Sequence, residues 1–155
     1  MSARLRRLGP DDVAVLRRLT IDDALFDLDG RGGDREPLAD LDARAFLSDP
    51  AVLVWIAESE AGVIGFLFCH TLRMRSNEPP ELLLYEIGVH REHRRLGHGR
   101  ALLEAMFAWM RAEGIETVWV GADNPGAVAF YRACGFGEHV EGAVFMDRTL
   151  VAEVR

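Results

Sequence analysis

The sequence predicts a mixed α/β fold in a single domain over residues 1–155, and three observations predict it. Two strand-like runs, Val52–Glu58 and Val63–Leu72, follow each other across a short turn, as in an antiparallel hairpin. A nearly continuous apolar run, Leu82–Val89, reads as a strand covered on both faces and central in its sheet. Beyond it, helical and strand periodicities alternate, which gives the order β-α-α-β-β-β-α-β-α-β-β.

The first strand is Arg4–Leu8. Pro10 opens a helix with Asp11 and Asp12 in its first turn, where carboxylates complement the positive end of the dipole, and Val13, Leu16 and Leu19 form its apolar face. Between Thr20 and Pro50 nine acidic residues oppose three arginines, for a local charge of −6; the segment reads as a helix, an acidic loop and a second helix over Leu38–Leu47. Ser59-Glu60-Ala61-Gly62 closes the hairpin. After the central strand come a turn over Arg94–Gly99 and a helix from Ala101 to near Gly114, with Leu102, Leu103, Met106, Phe107 and Met110 on one face. Thr117–Val120 is a buried strand, Asn124-Pro125 opens a helix that runs to Cys134, and Phe136–Val151 reads as two strands around Glu141-Gly142.

All eighteen basic side chains are arginine against 25 carboxylates, a net charge of −7. The absence of lysine excludes a Walker A phosphate loop and any lysine Schiff-base chemistry. Two cysteines, Cys69 and Cys134, provide no disulfide framework, and the N-terminus lacks the apolar stretch of a signal peptide, so a reducing cytoplasm is expected. No apolar run approaches the roughly 20 residues that span a bilayer. Four arginines clustered in an acidic chain make a local phosphate site and not a nucleic-acid stripe.

That cluster is Arg94-Arg95-Leu96-Gly97-His98-Gly99-Arg100-Ala101 with Arg91, and the ten residues from Arg91 to Arg100 carry a net +3 between a strand and a long helix. Main-chain N–H groups and the helix dipole converge there, and glycines let phosphate oxygens approach the backbone, although a helix entry also needs glycine for its turn. A third glycine at the Rossmann spacing is missing, because Leu102 stands there. His90, His93 and His98 match no zinc spacing, and no metal is assigned.

The run Arg94-x-x-Gly97-x-Gly99 after Tyr85-Glu86-Ile87-Gly88-Val89 resembles the acetyl-CoA pyrophosphate arm of the GNAT superfamily of N-acetyltransferases. Asn124-x-x-Ala127-x-x-x-Tyr131-x-x-x-Gly135-Phe136 resembles the family's second block. The resemblance implies a mixed central sheet splayed between Leu82–Val89 and Thr117–Gly121, flanked by about four helices. It implies acetyl-CoA as cofactor, held by Ile87, Gly88, Val89, Arg94, Arg95, Leu96, Gly97, His98, Gly99, Arg100, Ala101, Asn124, Ala127 and Tyr131. Transfer to the amine is direct, with proximity supplying much of the rate and main-chain N–H near Gly88 or Val89 polarising the thioester carbonyl.

Within that frame Glu86 is the candidate base, directly or through water, because an ammonium of pKa near ~10.4 must lose a proton before it attacks. The competing reading is a carboxylate satisfied by main-chain or arginine partners. Tyr131 is the candidate acid for the leaving thiolate, against the alternative of an aromatic on a buried helix face. Cys134 reads as a buried structural thiol, the neighbours Cys69 and His70 point to opposite faces, and Trp55, Trp109 and Trp119 read as core.

The carboxylate excess predicts a cationic small-molecule amine as partner, or else a solvated acidic face. The chain is similar to the aminoglycoside 3-N-acetyltransferases, which implies acceptor contacts at Asp27, Glu81, Tyr85, Asp123 and Asp147. Glu stands at 86, and Leu at 83, where that group carries Asp and commonly an aromatic. An aminoglycoside acetyltransferase, a protein, peptide or polyamine acetyltransferase, and a non-catalytic acetyl-CoA-binding module all remain open at this stage. The resemblance also allows a homodimer.

Overall fold

The computed structural model describes residues 2–26, 35–137 and 144–150. Two compact units divide the chain, Met1–Val120 and Gly121–Arg155. The first contains a five-stranded mixed sheet in the order β1 (Arg4–Arg7), β2 (Val52–Ser59), β3 (Gly62–Leu72), β4 (Glu81–Val89) and β5 (Val118–Val120). The first four strands are antiparallel neighbours, and β5 runs parallel to β4. Its helices are α1 (Val13–Ile21), α2 (Asp23–Phe26), α3 (Asp40–Ser48) and α4 (His98–Glu113), with a 3₁₀ turn over Arg91–His93. The second unit contains α5 (Pro125–Ala133).

α1 begins later than Pro10 because Asp12 is drawn into the preceding turn: its carboxylate accepts from Gly9 N–H at 2.8 Å and from Arg6 at 2.9 Å. Arg6 also donates to Glu58 at 2.9 Å, a bond that leads in raising its pKa and ties the edge strand to β2. No acidic residue lies in the first turn of α1. The hairpin forms across Glu60-Ala61 with Gly62 at φ +104°, a conformation that disfavours side-chained residues. The second helix starts at Asp40, not Leu38, which is exposed. Glycine in the left-handed region starts α4 at Gly97 and stops it at Gly114.

Each face of the sheet has its own core. Trp55 meets Trp109 edge-on at 5.8 Å and Cys69 meets Met106, which places α4 on one face; Leu102, Leu103 and Met106 are fully buried, each contributing about 1.5–3 kcal/mol. On the other face Val54 and Ile56 pack with Leu19 of α1, Phe26 of α2 and Leu47 of α3. Of the residues expected in core positions, Phe107, Trp109 and Trp119 are half-buried. The described residues contain five α-helices, one more than expected, because the single turn α2 stands apart from α1. No strand is assigned to residues 136–137 or 144–150, so the expected terminal pair is not found in the described part of that segment.

Gly88 sits directly beneath this second core: a Cβ there would lie 2.8 Å from the Phe66 ring and 3.0 Å from Cβ of Phe26. Gly88→Ala is expected to destabilise the chain by about 1–3 kcal/mol through overpacking, read as a lower urea midpoint at unchanged slope. An unchanged midpoint would remove the close approach of α2 to β4.

Candidate active site

The middle of β4 departs from regular pairing. Phe68 faces Glu86 and the next residue of β3, Cys69, faces Leu84, so Tyr85 is an extra residue in the ladder. Such a bulge shifts the side-chain parity of a strand. Tyr85 and Glu86, neighbours in sequence, consequently share the face of Phe68 and His70. The Tyr85 ring meets those of Phe68 and His70 at 5.8 and 5.9 Å, and Glu86 is the cross-strand partner of Phe68. Tyr85 is 63% exposed and Glu86 half-buried, so this half of the strand is not covered on both faces as its composition predicts.

Glu86 accepts a hydrogen bond from Arg35 Nη1 at 3.2 Å, and Arg35 Nε lies 3.8 Å from Asp23 of α2. The guanidinium is held above its ordinary pKa first by the bond to Glu86, then by the charges of Asp23 and Glu86. The arginine-partner alternative for Glu86 is therefore what the structure contains. Asp23 lies in the acidic segment where a cationic acceptor is expected, though nothing singles it out there; Arg35 was not legible as a site residue, since it lies 51 positions from Glu86 and no local pattern links them.

Pairing between β4 and β5 ends at Leu84 opposite Val120. Glu86, Ile87, Gly88 and Val89 keep a ladder partner on β3, and none on β5, among the described residues. The β4–β5 ladder thus ends where the splay is expected. Arg94 follows, with its guanidinium bonded to the carbonyls of Val89 at 2.9 Å and Phe26 at 3.1 Å. Its side chain thus anchors the turn to β4 and α2. Arg95 adopts φ +65° and Gly97 φ +85°, and Gly97 brings no side-chain cap to α4. Leu96 is exposed, Gly97 has open space above its Cα, and His98 and Gly99 open the helix ahead of Arg100 and Ala101, whose N–H makes the first intrahelical bond to Gly97. His90, His93 and His98 form a row with ring centroids 5.4 and 6.4 Å apart, and His90 Nδ1 accepts from Glu92 N–H.

In the second unit Asn124 caps α5 by accepting from Ala127 N–H at 2.8 Å, with Pro125 at the first turn. Tyr131 is buried between Phe130 and Phe136, both centroids at 5.2 Å. Asp123 accepts from the Asn124 side chain and is exposed, as is Asp147 within 144–150. Glu81 accepts from the Trp119 indole and stands five residues along β4 from Glu86, roughly 16 Å at ordinary strand rise. The structure brings Tyr85 and Glu86 together and does not place Glu81 with them; Asp27 lies outside the described residues.

Cys69 and His70 do face opposite sides of the sheet: burial pushes the Cys69 thiol up to about 12, and the His70 ring meets Phe68 edge-on at 4.6 Å. Cys134 is half-buried at the end of α5, more open than its sequence reading. Cys69 is fully buried, and that burial disfavours its reactive thiolate. Ellman's reagent is therefore expected to label Cys134 in the native protein and Cys69 only on unfolding; rapid native labelling of both thiols contradicts this.

Residues 19–136 match the family described as Acetyltransferase (GNAT) family, well over half of the chain. Ribosomal protein bS18-alanine N-acetyltransferase of Escherichia coli (strain K12) is 40% identical over 60 residues, covering 37% of this chain and 40% of that protein. An aminoglycoside acetyltransferase from an uncultured soil metagenomic sample superposes with a TM-score of 0.81 at 25% identity, over 97% of this chain and 100% of that one. A second, in complex with sisomicin, gives a TM-score of 0.81 at 21% identity over 96% and 97% of the two chains, a likeness of fold. The chain spans less than half the length of the curated relatives it matches.

Proposed function

Because the chain belongs to the GNAT acetyltransferase family, we propose that it is an acyltransferase that moves an acetyl group from acetyl-CoA directly to a primary amine of a cationic small molecule, an aminoglycoside in the first instance. The observation that carries the reading is the bulge in β4, which puts the carboxylate of Glu86 and the exposed ring of Tyr85 on one face where β4 leaves β5. A carboxylate beside an exposed aromatic ring is the chemistry that seats an ammonium group. The likeness to an aminoglycoside acetyltransferase along the whole chain supports that acceptor, and the 3-amino group is the position first to be tested.

The open edge of Ile87, Gly88 and Val89 fits the amides of pantetheine. The turn from Arg94 through Ala101 fits a pyrophosphate, with main-chain N–H groups at the start of α4 and arginines at 95 and 100. Asn124 and Ala127 complete the cofactor-binding set in the second unit. When bound, acetyl-CoA supplies the acetyl thioester. Glu86 then takes a proton from the acceptor ammonium, directly or through water, which frees the nitrogen lone pair for attack. Tyr131 donates its phenolic proton to the leaving thiolate, a donor and acceptor of comparable pKa, and recovers it through solvent from the second proton that the acceptor nitrogen sheds as the amide forms.

A second reading has its own support, the 40% identity over 60 residues to an enzyme named for acetylating an alanine of ribosomal protein bS18, and its acceptor would be an alanine of a protein or peptide. NMR of the product from gentamicin and acetyl-CoA tests the first reading. Acetylation at the 3-amino group supports it in full, acetylation elsewhere on the drug corrects the position, and product only from alanine-terminated peptides replaces it with the second.

A further inference from the structure

We propose that Arg35 is a specificity-determining residue whose guanidinium occupies the ammonium seat between Glu86 and Asp23, so that a cationic acceptor must displace it. The inference rests on the reading of Glu86 as the carboxylate that receives the acceptor. Glu86 comes from β4 and Asp23 from α2, and their side chains are 33% and 20% exposed. Two partly desolvated carboxylates converging from separate elements repel each other unless a cation lies between them. Arg35 is that cation, with Nη1 at 3.2 Å from Glu86 and Nε at 3.8 Å from Asp23.

Its side chain is 56% exposed, so the pair is of the weak, solvent-screened kind that an incoming ligand can replace. The exposed ring of Tyr85 beside Glu86 adds a surface that favours a cation carried on a larger ligand over a freely hydrated ion. Asp23 thereby becomes a second acceptor carboxylate, singled out from its acidic segment by the contact with Arg35. Selection follows from competition. Acceptors with one weakly held ammonium lose to Arg35, and those with two or more closely spaced cationic groups can engage Glu86 and Asp23 together.

The test is the affinity of the full chain for spermidine, a polyammonium probe read by calorimetry without turnover. Arg35→Gln is expected to tighten binding about two- to fivefold, the worth of one exposed ion pair. Arg35→Lys, which keeps the charge, and Arg44→Gln, which removes an equal charge from the exposed pair with Asp11, stay near wild type. In a Glu86→Gln background the gain from Arg35→Gln disappears. Equal affinity of Arg35→Gln and wild type, absence of binding by both, the same gain in Arg44→Gln, or a gain that survives Glu86→Gln overturns the proposal. A Glu86→Gln variant that keeps full kcat would instead overturn the role of Glu86 as base, and the spermidine result reads the competition separately.

Discussion

Glu86→Gln is expected to lower kcat about 10²- to 10⁴-fold at neutral pH, the range associated with loss of a general base. Glutamine keeps the shape and the capacity to accept a hydrogen bond from Arg35, so the pair at 3.2 Å loses its charge and the site loses its proton acceptor with little change in packing. The pH profile gives the cause. With no base, only acceptor already in its neutral form reacts, so the variant's kcat/KM rises about tenfold per pH unit toward the amine's own pKa, near ~10.4 for an alkylamine. The wild-type profile levels off at lower pH. A variant with the same profile as wild type, merely scaled down, has lost acceptor positioning and not proton transfer.

Tyr131→Phe is expected to cost about 10²-fold in kcat, with the stability of the second unit retained. The phenylalanine ring preserves the packing on Phe130 and Phe136 at 5.2 Å, so the change isolates the hydroxyl. The loss is expected to shrink when acetyl-CoA is replaced by a thioester of a more acidic thiol, which departs without a proton. Equal losses with both thioesters would assign the hydroxyl a structural role, and full activity with both would end its role in the reaction.

The parts of this site legible in the sequence are those written in local chemistry. Asn124-Pro125 announces the start of α5 because a short polar side chain and a ring-fixed φ favour a helix entry, and Asn124 does cap Ala127. Gly114 marks the end of α4 because its backbone is left-handed, where glycine carries no Cβ penalty, whereas the helix starts at His98, three residues before the Ala101 start that its sequence suggests. The apolar runs of β2 and β3 gave their bounds to within a residue or so, since the turn at Glu60-Ala61 separates them and both are largely buried.

What could not be read depends on distant partners. The bulge at Tyr85 exists only relative to Phe68 and Cys69 of β3, and an apolar run such as Leu82–Val89 shows nothing of where its ladder slips. A strand expected to be covered on both faces therefore exposes Tyr85. Arg94 carries the family signature, yet its guanidinium holds Val89 and Phe26, a role set by where α2 packs and not by the motif. Glu81 resembled an acceptor contact by its place before the central strand, while the fold gives its carboxylate to Trp119 at the far end of β4.

The central claim is that the face shared by Tyr85 and Glu86 receives a cationic amine for acetylation. Its most direct test is thiol release from acetyl-CoA by the purified full chain at one salt concentration, with gentamicin, spermidine and alanine-terminated peptides offered in parallel to wild type and Glu86→Gln. The account predicts release with gentamicin in wild type and its loss in the variant. Release driven only by the alanine-terminated peptides, or by gentamicin equally well without Glu86, contradicts it.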